Sequence, residues 1–192
     1  MADNRQIAPV TADDCVYERH LARKFTDELG FLPALALEWY ADRGLVWRIR
    51  ENGDPAGFLV ARLDYAADNR LAGIIQAAID FDLQRRRHGL ALVEHAARLA
   101  TSAGKTVLQC WCAADLPAND FWRAAGFTAA GTRPGGRSRN RKLILWRRPL
   151  APAADILAPA IHDPRRGPGG RYATPADDTP KLFPEPETRR LF

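Results

Sequence analysis

An apolar segment that leads into an arginine-rich loop and then into a helical pattern constrains this chain more than any other feature. Residues 71–81 are typical of a central strand, and residues 90–103 repeat apolar side chains every three or four positions until Gly104. Between them lies the hexapeptide Arg86-Arg87-His88-Gly89-Leu90-Ala91. The first backbone N–H groups of a helix have no partner inside the helix, and the helix dipole adds partial positive charge. The sequence therefore predicts a loop that binds an anion, best matched by a phosphate or pyrophosphate.

The spacing of this loop differs from the two common nucleotide-binding patterns, Gly-x-x-x-x-Gly-Lys-Ser/Thr and Gly-x-Gly-x-x-Gly. Arg86-x-x-Gly89-x-Ala91 instead resembles the Gln/Arg-x-x-Gly-x-Gly/Ala signature of the GNAT superfamily of N-acetyltransferases. Downstream, residues 115–127 are similar to the late helix of that family, which typically ends aromatic-aromatic-x-x-x-Gly-Phe. Here that ending is Phe121-Trp122-Arg123-Ala124-Ala125-Gly126-Phe127. Two motifs in the family's order make the resemblance specific, and it covers residues 5–148.

Composition indicates one folded domain followed by a proline-rich segment. The 192 residues are 46% hydrophobic and 27% charged, as in ordinary globular proteins. Residues 151–192 hold eight of the chain's 14 prolines and show little periodicity. Such a segment buries too little apolar surface to offset its ordering entropy. We therefore expect an acetyltransferase-like domain over residues 1–150 and an extended or disordered tail over residues 151–192.

The chain carries no sign of export, membrane insertion or metal binding. Its N-terminus is polar, and no apolar run approaches the ~20 residues that span a bilayer. Its three cysteines are Cys15, Cys110 and Cys112, which indicate neither a disulfide framework nor a metal site. The sequence predicts a cytoplasmic protein without metal. It leaves the oligomeric state open and allows a homodimer.

Periodicity alone predicts the order strand, two helices, three strands, helix, strand, helix, two strands. Asn52-Gly53 between two alternating segments indicates a hairpin. Thr11 or Asp13 is expected to cap a first helix that runs toward Leu29, and Asp115 a last helix that ends at Gly126. The GNAT resemblance implies the same order, β-α-α-β-β-β-α-β-α-β-β. The implied fold class is α/β (α+β), with a mixed, largely antiparallel sheet flanked by helices.

The resemblance also implies acetyl-CoA as acyl donor and an amine as acceptor. In that family the central strand splays from its neighbour, and backbone groups near the strand end pair with the pantetheine arm. Pyrophosphate binding then falls to the arginine-rich loop, where a side chain at Gly89 would separate backbone from phosphate. The predicted cofactor-binding residues are Ile79, Asp80, Phe81, Arg86, Arg87, His88, Gly89, Leu90, Ala91, Asp115 and Trp122.

Two residues depart from the family pattern. Many members carry a tyrosine where Trp122 stands, and that tyrosine can protonate the leaving thiolate. An indole N–H cannot transfer a proton at neutral pH, so packing is the favoured role of Trp122. Asp115 stands where the family often has an asparagine that contacts the cofactor. A purely structural role as helix cap is equally compatible with Asp115.

Asp80 is the predicted catalytic residue, a general base at the end of the central strand. The alternative interpretation is an ordinary surface carboxylate. Other candidate bases are Asp82, Gln76 acting through an ordered water, Glu38 and Tyr40. His95 is expected to be a solvated helix position. Cys110 and Cys112 share one strand face, which favours inert packing.

A basic segment near the end of the domain suggests an anionic partner. Between residues 133 and 148 there is no acid, and the seven cations are Arg133, Arg137, Arg139, Arg141, Lys142, Arg147 and Arg148. We predict that Arg137, Arg139 and Arg141 contact the acceptor or a nucleic acid, against the alternative of a solvated hairpin. Three functions follow: an N-acyltransferase with an anionic acceptor, a nucleic-acid-directed base-modifying protein of the same fold, as some phages encode, or a non-catalytic acyl-CoA-binding protein.

Overall fold

The computed structural model describes residues 4–64, 68–135 and 141–151. Within these ranges one mixed sheet has the strand order β1-β2-β3-β4-β5-β7-β6, and β4 and β5 form its parallel pair. This confirms the predicted fold class. The strands are β1 (Arg5–Pro9), β2 (Val46–Glu51), β3 (Asp54–Arg62), β4 (Leu71–Ile79), β5 (Val107–Ala113), β6 (Thr128–Pro134) and β7 (Lys142–Pro149).

Helices cover both faces of the sheet. They are α1 (Val16–Lys24), α2 (Thr26–Leu29), α3 (Ala34–Asp42), α4 (His88–Ser102) and α5 (Ala118–Ala124), with a 3-10 turn at Phe81–Leu83. On one face α1 and α3 bury Leu21 and Leu37 in a cluster with Phe58 of β3. On the other face α4 buries Leu92 in a cluster with Leu108 of β5. The sheet thus separates two apolar cores.

Local turn chemistry accounts for the β2–β3 hairpin. Asn52 and Gly53 have φ angles of 53° and 91°, which suit the tight turn that the dipeptide predicts. The predicted first helix is wrong in extent, because the chain breaks at Phe25 into α1 and α2. Its predicted caps are also wrong. The residue before α1 is Cys15, whose thiol donates a hydrogen bond to the Ala12 carbonyl at 3.0 Å.

The predicted cap of the last helix is also wrong. Pro117 precedes α5, so Asp115 lies outside the helix and is not its cap. The Asp115 carboxylate instead forms an ion pair with Arg141, at 2.8 Å. Helix α4 begins at His88, two residues earlier than the apolar periodicity predicts, because its first residues lie in the loop motif.

A bulge in β4 opens the sheet. Val60 pairs with Gln76 and Ala61 with Ile74, so Ile75 is an extra residue on β4. Pairing of β4 with β5 ends at the same level, with Ile74 opposite Cys110. Bulges increase local twist and re-aim a strand. Beyond them, residues 75–79 of β4 and 111–113 of β5 diverge, and we call this opening the cleft.

Other expectations fall outside the described residues. The predicted tail lies there from residue 152 onward, as do Arg137 and Arg139 of the basic segment. Both therefore stay predictions. Among the described helices, none is long and apolar enough to cross a membrane.

Candidate functional site

The loop at residues 84–87, which we call the anion loop, carries the chain from the 3-10 turn into α4. Arg85 and Arg87 have φ angles of 62° and 66°, a left-handed backbone conformation that residues other than glycine rarely adopt. Left-handed residues in tight loops help form the backbone concavities that bind anions. Arg85, Arg86 and Arg87 are all exposed. The start of α4 therefore combines helix N–H groups with a cluster of guanidinium groups.

Glu51, at the end of β2, contacts two residues of the predicted motif. Its carboxylate lies 3.0 Å from Arg86 Nη1 and 3.5 Å from His88 Nε2. His88 is only 1% exposed, so its imidazole faces the interior. A phosphate at the helix start would meet the His88 backbone rather than its ring. Sequence reasoning missed Glu51, which lies 35 residues from Arg86 and belongs to no motif.

Gly89 has a packing role that the motif does not reveal. A Cβ built there would lie 3.2 Å and 3.3 Å from two ring atoms of Phe121 on α5. The helix start thus sits directly against the aromatic pair of the second motif. Close helix packing requires a small residue at this position, as the predicted approach of a phosphate also would.

The three predicted backbone contacts at the end of β4 differ in their availability. The Asp80 N–H donates to the Ala56 carbonyl at 2.9 Å, and the Phe81 N–H donates to the Asp80 carboxylate at 2.7 Å. The backbone N–H and C=O groups of successive residues along β4 point alternately toward β3 and away from it. Since those of Asp80 point toward β3, those of Ile79 and Ala77 face the cleft. Of the three predicted residues, only Ile79 presents its backbone there, and its carbonyl accepts a hydrogen bond from Gln84 Nε2 at 3.2 Å. Ala77, which the sequence did not single out, joins it.

The Asp80 side chain is committed to local contacts. Its carboxylate lies 2.8 Å from Lys24 Nζ of α1 and caps the 3-10 turn. The Lys24 ammonium, together with the Phe81 N–H, holds the pKa of Asp80 below its ordinary value despite partial desolvation. A weakly basic carboxylate is a poor proton acceptor at neutral pH. These contacts disfavour Asp80 as general base and favour a structural role.

The aromatic motif packs rather than presenting an acid. Trp122 is buried and makes edge contacts with Phe121 and Phe127 at ring-centroid distances of 5.0 Å and 5.3 Å. Burial raises the pKa of the Cys112 thiol, although a hydrogen bond with Trp122 opposes the shift. The geometry agrees with the packing role favoured for Trp122.

Asn119, which lies inside the late-helix motif but is not a predicted site residue, holds α5 in place. Its Nδ2 donates to the carbonyls of Ala113 and Leu116 at 2.8 Å and 2.7 Å. Its Oδ1 accepts from the Trp146 indole at 2.9 Å. Every polar atom of this buried amide is therefore used in joining α5 to β5 and β7.

Arg141 spans the far side of the cleft. It donates to the Asp27 carbonyl of α2 at 2.6 Å and to the Asp115 carboxylate at 2.8 Å. We call this the Arg141 bridge. The guanidinium predicted to contact an acceptor therefore ties the β5–α5 loop to the N-terminal helices.

The remaining candidates are structural or paired. Glu38 forms an ion pair with Arg19 at 2.6 Å, and Tyr40 is buried. The expectation for His95 is wrong. Its ring packs against Trp47 at 5.5 Å, and burial lowers its pKa. Burial likewise raises the pKa of the Cys110 thiol, which suits inert packing. Among the described residues, no group of three or more acidic, histidine or cysteine side chains is arranged to hold a metal.

Comparison with known proteins identifies the same architecture. The model of the Acetyltransferase (GNAT) family matches residues 14–127. No curated protein sequence matches the chain. A ribosomal-protein-S18-alanine N-acetyltransferase from Escherichia coli has a similar structure, with TM-score 0.63, 20% identity, and coverage of 79% of this chain and 97% of that one.

Two further solved structures contain the cofactor. A Salmonella typhimurium protein solved with acetyl-CoA has TM-score 0.65 and 17% identity, over 81% of this chain and 99% of that one. The N-acetylglutamate synthase from Neisseria gonorrhoeae, solved with coenzyme A and N-acetyl-glutamate, has TM-score 0.66 and 16% identity. That match covers 79% of this chain but 36% of the larger enzyme. At these identities the likeness establishes the fold.

Proposed function

This chain belongs to the GNAT family of acetyltransferases, and we propose that it transfers an acetyl group from acetyl-CoA to an amine. The observation that carries this proposal is the adjacency of two features. Beyond Ile74 the cleft side of β4 has no partner strand among the described residues, and the Ile79 carbonyl there accepts only a side-chain hydrogen bond from Gln84 Nε2, at 3.2 Å. The anion loop and the start of α4 follow that strand directly. A thioester on a long, polar, phosphate-bearing arm matches both.

The residues present fit such a donor. The backbone groups of Ala77 and Ile79 would pair with the amides of the pantetheine arm, much as a further strand would. Arg85 and Arg87, beside the N–H groups of α4, would hold the pyrophosphate. An anion near Arg86 would compete with Glu51 for its guanidinium. When bound, acetyl-CoA supplies an activated acyl group.

The reaction requires few chemical groups from the protein itself. The amine nitrogen attacks the thioester carbonyl, the C–S bond breaks, and the thiolate takes a proton. Trp122 cannot supply that proton, because its indole is not acidic at neutral pH. We propose that solvent protonates the thiolate, while the chain positions the reactants and excludes competing geometries.

A cationic recess supports an acceptor that carries an anionic group. It has a volume of about 350 Å³ and is lined by Thr132, Arg133, Pro134, Arg141 and Lys142. The Arg133 guanidinium lies 4.2 Å from the centre of the Trp111 ring, which fixes its position. A carboxylate or phosphate on the acceptor would be attracted to this recess.

Calorimetric titration tests donor recognition directly. We expect acetyl-CoA to bind far more tightly than S-acetyl-pantetheine, which lacks the pyrophosphate. Replacing Arg85 and Arg87 by glutamate should remove most of that difference while leaving the pantetheine ligand unaffected. The matched controls replace two other exposed arginines by glutamate. They are Arg43, which follows α3, and Arg123 of α5. Equal affinity for both ligands would contradict the proposed site.

An acetylation assay separates the competing functions. Acetyl-CoA binding together with transfer to an amine supports the proposal. Binding without transfer to any amine, peptide or nucleic acid would favour the non-catalytic alternative. Strongly salt-dependent nucleic-acid binding without donor affinity would favour the nucleic-acid-directed alternative.

A further inference from the structure

A buried glutamine lies where β4 leaves β5. Gln76 follows the bulge residue Ile75 and is 5% exposed. Its Nε2 donates to the carbonyl of Gly30, between α2 and α3, at 3.0 Å. Its Oε1 is buried and has no hydrogen-bond partner. A buried acceptor without a partner costs free energy unless a ligand or water satisfies it.

Four carboxylates, at the end of β4, in the β5–α5 loop and on the N-terminal helices α1 and α3, each hold a cation. The pairs are Asp80–Lys24 at 2.8 Å, Asp115–Arg141 at 2.8 Å, Glu38–Arg19 at 2.6 Å and Glu18–Arg48 at 2.7 Å. Each of these carboxylates already accepts a hydrogen bond from its cation.

The other titratable groups on these helices are less suited to act as a base inside the cleft. His20, Asp27 and Glu28 of α1 and α2 are exposed to water. Burial and the nearby Asp80 carboxylate raise the pKa of Tyr17 to about 12. A phenol that remains protonated at neutral pH can donate a hydrogen bond but cannot accept the amine proton.

We propose that the acceptor is a weakly basic primary amine, of the class of an α-amino group, which enters uncharged and donates an N–H to Gln76 Oε1. This inference rests on the proposed function and names the acceptor class for the same site. A neutral amide oxygen accepts an N–H without taking its proton. Gln76 would therefore orient the nitrogen lone pair toward the thioester and act as a substrate-positioning residue.

The reaction balances without a base from the described residues. An ammonium acceptor first loses one proton to solvent and binds as R-NH2. The nitrogen forms a bond to the acetyl carbon, and the C–S bond breaks. The nitrogen releases a second proton, and the thiolate takes up one. One proton is released to solvent per turnover of an initially protonated amine.

In this mechanism the rate depends on the pKa of the amine itself, because only the neutral amine reacts. At pH 7 about 10% of an α-amine with pKa near 8 is neutral, against roughly 0.04% of a lysine amine with pKa near 10.4. The free-base fraction alone favours α-amines roughly 200-fold in kcat/KM at pH 7. The greater nucleophilicity of the more basic lysine amine offsets part of this factor. An enzyme base would reduce that advantage.

The test measures kcat/KM from pH 6 to 10 for a panel of primary amines, including peptides whose only amine is either the α-amine or a lysine amine. Calorimetry with acetyl-CoA alone runs in parallel. We expect each profile to rise tenfold per pH unit and level off at the pKa of the amine itself. Profiles that level off near neutral pH for every amine would reveal an enzyme base and overturn the inference.

The two proposals fail differently. Absence of acetyl-CoA binding, or binding without transfer to any amine, overturns the proposed function and the inference with it. Transfer with a shared enzymatic pKa overturns the inference alone. A His20→Gln variant locates such a base: its profile should match the parent, and loss of a neutral-pH plateau would assign that role to His20.

A pair of variants tests the contact itself. Gln76→Leu should raise the acceptor KM by about tenfold, as expected for one lost hydrogen bond to a buried amide, and leave the acetyl-CoA Kd within threefold. Gln109→Leu is the matched control, because Gln109 is equally buried but its Oε1 already accepts from Arg147 Nε at 3.1 Å. Unchanged acceptor kinetics in Gln76→Leu would overturn the contact. If that variant does not fold, the pH profiles of the parent protein still decide.

Discussion

The proposed donor side and the proposed acceptor side of the cleft are built in different ways. The donor side consists of β4, the anion loop and α4, which follow one another between residues 71 and 102. The acceptor side combines α1 to α3 with the ends of β5 and β7, joined by the Arg141 bridge between residues 27, 115 and 141. A contiguous site can be recognised from a motif. An assembled site depends on contacts between distant segments.

The two sides also differ in what holds them. Donor-side geometry rests on backbone conformation and on the contact of Gly89 with Phe121. Acceptor-side geometry rests on charged side chains, including the buried Glu18–Arg48 pair between α1 and β2. Mutations should therefore separate donor binding, acceptor use and stability.

The largest expected effect is on stability. Glu18 contacts Arg48 at 2.7 Å through both carboxylate oxygens, and both side chains are buried. Glu18→Gln keeps the shape but leaves a buried guanidinium without its main counter-charge, which should cost about 3–5 kcal/mol. The measurement is urea unfolding. Glu38→Gln, in the partly exposed pair with Arg19, is the control and should cost at most about 1 kcal/mol.

Donor binding should respond most to Gly89→Glu. The new Cβ would press against the Phe121 ring, and the carboxylate would add negative charge at the start of α4. We expect the acetyl-CoA Kd to rise on the order of 100-fold, about 2.7 kcal/mol. Gly131→Glu introduces the same side chain on β6 where nothing lies within 4 Å, and should bind normally. Circular dichroism checks the fold of both. Wild-type affinity in a folded Gly89→Glu protein would remove the anion-loop assignment.

Breaking the Arg141 bridge should affect acceptor use alone. Arg141→Ala should raise the acceptor KM by about tenfold, while the acetyl-CoA Kd changes less than threefold. Asp115→Ala, which removes the other half of the ion pair, should produce a similar change. Non-additive effects in the double variant would confirm that the pair acts as a unit. Equal losses of donor and acceptor binding would show that the two sides are not separable.

Replacement of the predicted base should have a small effect. Asp80→Asn should leave kcat within about threefold across the pH range, because Lys24 already disfavours protonation of this carboxylate. The pKa of Asp80 is lowered in the folded state, so its stabilisation is present above its ordinary pKa of about 3.9 and is lost as pH falls. Acid unfolding of Asp80→Asn should therefore be less steep. A large loss of kcat would restore Asp80 as base.

The smallest effect is expected from the tail. Removal of residues 152–192 should change the acetyl-CoA Kd less than twofold, because proline-rich composition predicts a segment outside the core. Differential scanning calorimetry provides the check. A marked fall in Tm on truncation would show that the tail stabilises the domain.

The sequence by itself determined the fold class and, apart from the break of the first helix at Phe25, the order of helices and strands. It also contains the motif on which the proposed donor side rests. Periodicity, the Asn52-Gly53 turn and the glycine-bearing loop are local signals, and local backbone preferences survive in the folded chain. The sequence also favoured packing for Trp122, since its chemistry excludes proton transfer.

Tertiary structure decided how side chains meet. Asp115 pairs with Arg141 and is not a helix cap. The His88 ring points inward toward Glu51, and Gly89 packs against Phe121. The bulge at Ile75 and the unpartnered Gln76 oxygen depend on strand register, which a single strand does not encode. These features require contacts across tens of residues, where burial and charge pairing outweigh local propensity.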